Sequence, residues 1–318
     1  MNEAFLVSIL AITIRAGASL LYATVGEIFT ERSGILNLGV EGIMIMGAVM
    51  AFAAAYHSGS VWVGVLVAML AGALLASIHA FLTVSLRGDQ VVSGLVLTIF
   101  GTGMASFLGR KLGPAGVPLV GLVGPKFVRQ PIPGLSDLPI VGQSLFNQDV
   151  LVYVLYILIP LSWFYLYKTR QGLHLRAVGE NPHTADAMGV NVLSSRYLYT
   201  VLGGMLIGLG GAHLSLSYTP GWTEGLTAGR GWIAVALVIF AAWDPARAVV
   251  GALLFGGVNA IQFRLQAAGT TIPASFLGMM PYIFTIVVLV IITWWDAFGR
   301  RIGAPAALGQ PFVREERG

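Results

Sequence analysis

The chain has 318 residues, of which 56% are apolar and only 10% are charged, and its formal net charge at pH 7 is +4. Soluble domains carry about 25% charged residues, so this composition excludes an ordinary soluble enzyme and predicts a multi-pass membrane protein. The sequence contains no cysteine, which excludes disulfides and thiolate metal ligands.

Long apolar runs define the predicted elements. A span needs about 20 apolar residues to cross a hydrocarbon core, and the runs are apolar throughout rather than alternating, which favours helices over barrel strands. We therefore predict an all-α polytopic membrane protein with about nine transmembrane helices in a single domain. The predicted spans lie at 5–30, 35–57, 61–86, 90–109, 149–167, 196–218, 230–245, 248–266 and 275–295.

The Pro- and Gly-rich segment 110–148 divides these spans, and we predict it as an external loop. A first helix group (1–109) precedes it, and a second helix group (149–295) and a cytoplasmic tail (296–318) follow. Each group contains a Gly-broken polar segment, SGILNLGVEG in the first and TPGWTEGLTAGRGW in the second. Irregular backbone at membrane depth is tolerated only where protein or water covers it, so the paired interruptions predict a transport pathway.

Basic residues predict the orientation of the spans. If the loop at 168–196 is cytoplasmic, most of the Lys and Arg residues lie inside, as the positive-inside rule requires. The residues on that side are Arg32, Arg87, Lys168, Arg170, Arg176, Arg196, Arg247, Arg300, Arg301, Arg314 and Arg317. Because the positive charge lies largely in loops, we interpret it as a topology signal and not as a nucleic-acid footprint. This assignment places the N-terminus outside and the C-terminal tail inside.

The first broken segment carries Asn37 and Glu41, which are four residues apart and hence lie on one helical face, followed by Gly42. A carboxylate in hydrocarbon costs about 2.5–3.5 kcal/mol, so these side chains should face a polar interior or a water-filled path. We predict that Asn37, Glu41 and Gly42 line the substrate pathway. The alternative is that Glu31, Arg32 and Glu41 form a cluster at the cytoplasmic edge.

The second helix group contributes further candidate residues. Glu224 and Arg230 flank the second broken segment and are expected either to pair or to remain solvated. Trp232 is either an interfacial belt residue or a stacking partner for a sugar or base. Asn259 and Gln262, three apart in an apolar span, either bind substrate or bridge helices. We include Trp232, Asn259 and Gln262 in the predicted pathway.

The loop between the fifth and sixth spans contains a short helix whose two ends are both specified. Asn181 is a favourable N-cap, Pro182 suits the first turn, and Gly189 suits the position just past the end. We expect Ala185, Ala187 and Met188 to be exposed, with little to bury against in their own loop, which favours docking into a partner's groove. A connector packed on its own bundle is the alternative.

Three motifs are recognisable in this order: GILNLGVEGIMIMGA, LRAVGENPHTADAMGVNV and GRGWIAVALVIFAAWDPARAVVGALLFGG. Together they resemble the permease subunits of ATP-binding cassette importers of the ribose and branched-chain amino acid group, most closely the simple-sugar and nucleoside permeases. The resemblance covers nearly the whole chain, and it implies a multi-pass protein of the bacterial inner (plasma) membrane.

The resemblance implies three protein partners besides the lipid bilayer. A second homologous permease is expected to complete a heterodimer, a cytoplasmic ATP-binding cassette ATPase to dock on a coupling helix, and an extracytoplasmic solute-binding protein to deliver substrate. The resemblance places the coupling segment at Glu180, Asn181, Pro182, Ala185, Ala187 and Gly189.

The sequence carries no nucleotide-binding loop of the form G-x-x-x-x-G-K-[ST], so we expect ATP and Mg on the partner ATPase and no cofactor on this chain. The histidines are scattered without metal spacing, so no metal site and no enzyme activity are expected. We predict the import of a neutral polar solute, and the resemblance implies a preference for nucleosides. Ribose-like sugars and branched-chain amino acids are alternatives, as is an ion-coupled secondary transporter that would use Glu41.

Overall fold

The computed structural model describes residues 3–267, 269–270, 272–297 and 303–314, and most of them are helical. The predicted basic residues Arg300, Arg301 and Arg317 lie outside the described residues. The helices are α1 (Glu3–Arg32), α2 (Val40–Ser58), α3 (Val61–Ala80), α4 (Gln90–Lys111), α5 (Val141–Leu145), α6 (Val150–Lys168), α7 (Arg170–Glu180), α8 (Pro182–Ala187), α9 (Val192–His213), α10 (Arg230–Phe240), α11 (Pro245–Ala267) and α12 (Ala274–Ala297).

Within the described residues, seven helices are long and apolar enough to cross a membrane, namely α1, α2, α3, α4, α6, α9 and α11. Shorter apolar helices occur at Arg230–Phe240 and Ser275–Val287. The prediction of an all-α protein with about nine membrane helices is therefore confirmed. The predicted span 230–245 is too long, because α10 has 11 residues and a rise of 1.5 Å per residue gives a length of about 16 Å, half of a hydrocarbon core.

Side-chain caps and glycine fix several helix boundaries. The Asp89 carboxylate accepts a hydrogen bond from Val92 N (2.8 Å) at the start of α4. At the start of α6, Asp149 accepts from Leu151 N (3.0 Å). Gly59 ends α2 in the left-handed region, with φ of 72°, where a residue without Cβ is favoured. Capping side chains and glycine therefore determine where these helices begin and end, which their uniformly apolar interiors do not indicate.

The core forms where α1 and α9 pack against each other. α1 also packs along α11, and α9 packs along α3. The order long helix, broken segment and two further helices occurs twice, and the long helix of each group packs on the second further helix of the other. At the α1–α9 crossing a Cβ at Gly26 would meet the Gly203 carbonyl, and one at Gly203 would meet the Gly26 carbonyl. Small residues of this kind let helices in lipid approach closely.

Segments predicted to lie inside share one end of the bundle, which we call the α8 end. There Arg32 Nε donates to the Trp243 carbonyl (3.2 Å), which joins the end of α1 to the turn after α10. α7, which we did not predict as a separate helix, α8 and residues 303–314 complete this end. The segment 110–148 lies at the opposite end, the loop end, and contains α5 and a short antiparallel pair of Gln130–Pro131 with Asn147–Gln148.

Candidate functional site

The two Gly-broken segments converge on the carboxylate of Glu41, in the first turn of α2. This carboxylate accepts three hydrogen bonds from the end of the second broken segment. The donors are Thr227 Oγ1 (2.6 Å), Gly229 N (2.9 Å) and Gly231 N (2.6 Å). One residue of the first broken segment thus caps the N-terminus of α10, where free N–H groups and the helix dipole favour a negative charge.

The depth of this junction follows from the length of α10. Beyond its far end, Trp243 Nε1 donates to Glu31 (2.5 Å), next to the end of α1. Since α10 spans about 16 Å, its capped N-terminus lies about half a membrane thickness away from that end. The structure therefore separates Glu41 from Glu31 and Arg32, and the three do not form the alternative edge cluster.

Asn37 holds the shape of the first broken segment. Its backbone N donates to Glu27 Oε1 (3.1 Å) and its Nδ2 to Glu27 Oε2 (3.3 Å). Its Oδ1 accepts from Gly39 N (2.9 Å). Asn37 and Glu27 are both fully buried. Both ends of the Asn37 amide are therefore hydrogen-bonded within the protein. Sequence analysis did not identify Glu27 as its partner.

Side chains of α3 and α4 form hydrogen bonds with further backbone groups of the first broken segment. The Leu36 carbonyl lies 3.1 Å from His79 Nε2, and Leu36 N donates to Gln90 Oε1 (2.6 Å). The Thr98 hydroxyl donates to the Leu38 carbonyl (2.9 Å). Gly42 packs directly on the α4 backbone, where an added Cβ would lie 2.5 Å from the Leu97 carbonyl oxygen. Protein groups thus cover irregular backbone at membrane depth, as lipid requires.

The other predicted pathway residues occupy different surroundings. Trp232 directly follows Gly231 at the Glu41 junction, and 38% of its surface is exposed. Asn259 is buried, and its Nδ2 donates to the Phe255 carbonyl (3.1 Å) in its own helix, α11. Gln262 is half-buried one turn further along. Trp232 therefore adjoins the Glu41 junction through its backbone, whereas Asn259 forms its hydrogen bond within α11.

The charged residues beside the second broken segment do not pair with each other. Glu224 instead accepts from Arg110 Nε (2.7 Å) at the loop end, and this hydrogen bond lowers the pKa of the Glu224 carboxyl. Arg230 donates from Nη1 to the Ala16 carbonyl (3.3 Å) and lies over the Tyr218 ring at 5.0 Å. Within the described part of the chain, no three His, Asp or Glu side chains group closely enough to hold a metal ion.

The predicted short helix is present as α8. Asn181 Oδ1 accepts from Thr184 N (2.9 Å), Pro182 occupies the first turn, and Gly189 adopts a φ of 84° just beyond the end. Both predicted end signals are therefore confirmed. Glu180 and Ala187 are exposed.

The expectation that Ala185 is exposed was wrong. Only 3% of its surface is exposed, because Phe312 of the tail packs against it together with Val178 and Val192. Met188, in contrast, is 81% exposed just past the end of α8. One side of α8 therefore packs on its own protein, and Met188 leaves an apolar side chain exposed just past its end.

Comparisons with known proteins agree with this architecture. Residues 8–293 match the family described as branched-chain amino acid transport system / permease component. TsgC13 of Haloferax volcanii, which carries the name of a glucose ABC transporter permease protein, is 40% identical over 333 residues, covering 98% of this chain and 99% of TsgC13. The guanosine ABC transporter permease protein NupQ of Bacillus subtilis is 34% identical over 325 residues, covering 98% and 99% of the two chains.

Two further relatives have related names. The nucleoside ABC transporter permease protein NupC of Lactococcus lactis is 37% identical over 307 residues, covering 93% of this chain and 94% of NupC. NupP, a second guanosine ABC transporter permease protein of Bacillus subtilis, is 23% identical over 263 residues, covering 78% and 71% of the two chains. The chain therefore belongs to the family of branched-chain amino acid transport system permease components, and it is a non-catalytic, multi-pass ABC transporter permease of the cell membrane.

Proposed function

We propose that this chain forms half of the translocation path of an ATP-driven importer of nucleosides that works by alternating access. The observation that carries the proposal is the meeting of α2 and α10 at Glu41. Broken helices that begin at the same depth are typical of transporters whose substrate sites lie near the membrane midplane. In this proposal Asn37, Glu41 and Gly42, which are buried, fix the backbone behind the path and do not contact the solute themselves.

Trp232 and Gln262 are the residues we propose to face the solute. Trp232 is partly exposed beside the Glu41 junction, where its indole could stack on a base or a sugar. Asn259, three residues before Gln262 in α11, has a structural role in this proposal, since its Nδ2 donates to the Phe255 carbonyl of the same helix. The solute preference itself rests on the names of NupQ and NupC. The name of TsgC13 makes a simple sugar the second candidate.

The energy source is proposed to be a separate ATPase that docks on α8. The chain has no nucleotide-binding loop, and the exposed Met188 gives a docking surface beside a helix with two fixed ends. The ion-coupled alternative would need a carboxylate available to an ion. Glu41 is instead occupied by three protein donors, which argues against that alternative.

The remaining partners are a second permease and a solute-binding protein. NupQ and NupP are two guanosine permease proteins of one bacterium, and this chain is more similar to NupQ. That pairing supports a heterodimer of two homologous permeases. The loop end, with the segment 110–148, is the surface we propose for the binding protein.

Uptake by the purified complex in liposomes tests the proposal. Labelled guanosine, ribose, glucose and leucine are offered with internal or external ATP and without an ion gradient. We expect ATP-dependent uptake of guanosine above the other three solutes. Uptake of a sugar alone would favour the second candidate, and uptake that needs an ion gradient but no ATP would refute the proposal.

A further inference from the structure

Residues 303–314 cross the α8 end of the bundle, and nothing in the proposed mechanism uses them. Ala307 N donates to the Gly179 carbonyl (2.9 Å) near the end of α7. Gly309 N donates to the Gly34 carbonyl (3.2 Å) in the first broken segment. This stretch therefore contacts both the helix that leads into α8 and the segment that leads into α2.

Phe312 fixes the far end of this stretch on α8. Its side chain is 5% exposed and belongs to an apolar cluster with Val178, Ala185 and Val192, separate from the main core. The ring also lies 5.1 Å from the ring of His183. Burial of an aromatic side chain is one of the larger contributions that a single residue makes to packing.

Charged groups add two further connections. Arg314 Nε donates to Asp186 Oδ2 (3.0 Å) on α8. Arg196 of α9 is almost fully buried, and its Nη1 donates to the Gln310 carbonyl (3.0 Å). A Cβ at Gly34 would lie 3.0 Å from Nη2 of the same guanidinium. A buried cation needs such polar partners, so the tail backbone is part of what holds Arg196 beside the first broken segment.

We infer that residues 305–314 form a strap that ties α8 to the first broken segment, with Phe312 as a positioning residue for α8. The inference rests on the proposed function, because the strap matters for transport only if α8 receives the ATPase. α8 has six residues, and so short a helix has little stability of its own. A displacement of α8 reaches segment 33–39, and through it α2 and Glu41, by contiguous packing and hydrogen bonds.

A cavity beside the strap places it within reach of the docked partner. The cavity has a volume of about 270 Å³ and its wall includes Asp186, Val190, Phe312 and Arg314. Met188, with 81% of its surface exposed, follows Asp186 by two residues. An ATPase segment seated on α8 would therefore press on α8 and on the strap together.

Substitution of Phe312 in the assembled complex tests the strap. For Phe312→Ala we expect the ATPase to co-purify as before, while transport per ATP hydrolysed falls about three- to tenfold, the size found for residues along a coupling network. Phe312→Leu keeps most of the apolar volume and should restore the ratio. Val313→Ala removes apolar volume from the neighbouring half-buried position, outside the Phe312 cluster, and should leave the ratio unchanged.

Each result decides the inference. A wild-type ratio in Phe312→Ala would overturn it, and so would loss of the ATPase from that complex, which would make the tail an assembly element. If Phe312→Ala does not accumulate, Arg314→Ala takes its place, since it removes only the ion pair of an exposed side chain. We then expect transport per ATP hydrolysed to fall about twofold. An unchanged ratio would overturn the strap. Absence of ATP-dependent uptake by the wild-type complex would instead refute the proposed function.

Discussion

At the scale of single residues, Glu41 is a carboxylate whose lone pairs are assigned to particular donors. We predict that Glu41→Gln lowers the free energy of unfolding by about 1–3 kcal/mol, the cost of leaving a buried donor unsatisfied. The amide has one acceptor oxygen, so its NH₂ group must face either Gly231 N, or Gly229 N together with the Thr227 hydroxyl, and one backbone N–H loses its acceptor. Thermal unfolding of the purified chain in detergent measures the change.

Glu224 provides the matched control for Glu41. It is also a carboxylate bound to a donor from another element, but its side chain is 46% exposed and that of Arg110 is 65% exposed. Solvent replaces an exposed pair at little cost, so Glu224→Gln should leave the melting temperature unchanged. Equal melting temperatures for Glu41→Gln and the wild type would show that Glu41 does not hold α10.

The sequence identified the polar residues of this junction but not their partners. Asn37 and Glu41 are conspicuous because a carboxylate and an amide interrupt an apolar run. Thr227 lies 186 residues further along the chain, and helical spacing relates only positions three or four apart. Glu27 is only ten residues from Asn37, yet the contact depends on the reversal of the chain after Arg32, which no local pattern specifies.

At the scale of helices, the junction of α2 and α10 depends on close backbone approach. We predict that Gly231→Ala destabilises the protein by about 1–3 kcal/mol, as overpacking does in a tightly packed core. An added Cβ there would overlap the backbone of Glu41. The yield and melting temperature of the purified variant are the measurements.

Gly103→Ala separates this effect from the general consequence of adding a methyl group to a helix. Gly103 lies on an exposed face of α4 and an added Cβ would have no atom within 4 Å. Alanine is also the better helix former, so this variant should be as stable as the wild type or more so. A Gly231→Ala protein that matches Gly103→Ala would contradict the proposed fit.

The end of α8 gives a test that involves backbone conformation alone. Gly189 has a φ of 84° and an added Cβ would contact nothing, so a larger residue is disfavoured only by the left-handed conformation. That conformation costs an ordinary residue about 1–2 kcal/mol. We predict that Gly189→Val weakens co-purification of the ATPase, while the chain still inserts into the membrane.

Gly189→Asn is the matched variant, because asparagine tolerates the left-handed region at helix ends. It should bind the ATPase nearly as well as the wild type. Equal loss in both variants would mean that the side chain obstructs docking, and equal binding would mean that the ending of α8 does not matter.

At the scale of the whole molecule, hydropathy predicted the spans but not their depth or their neighbours. The apolar run that contains α10 extends past Phe240, so its early end at a turn with positive φ at Ala242 and Trp243 could not be predicted. The packing of Phe312 on Ala185 was also missed. The C-terminal segment has no periodicity of its own, and its position depends on a surface that exists only after α7, α8 and α9 have assembled.

The orientation of the molecule in the membrane is the remaining global property, and two single-cysteine variants determine it because the chain contains no cysteine. Thr184 is exposed in α8 and Asp137 is exposed in the segment 110–148, at opposite ends of the bundle. The described Lys and Arg residues that the positive-inside rule assigns to the cytoplasm, such as Lys168 and Arg170, lie at the α8 end. We therefore predict that a membrane-impermeant thiol reagent labels Thr184→Cys only from the cytoplasmic side and Asp137→Cys only from outside.

Ala48→Cys controls for background labelling of unfolded protein, since Ala48 is fully buried in α2 and should react only after denaturation. If Ala48→Cys stays unlabelled, labelling of Thr184→Cys from outside would place α8 and the strap on the side without ATP. It would then refute α8 as the docking site of the ATPase. Labelling from the cytoplasmic side would put α8, the strap and the end of α1 beside the ATPase. The capped N-terminus of α10 would then lie about half a membrane thickness from the surface on which the ATPase acts.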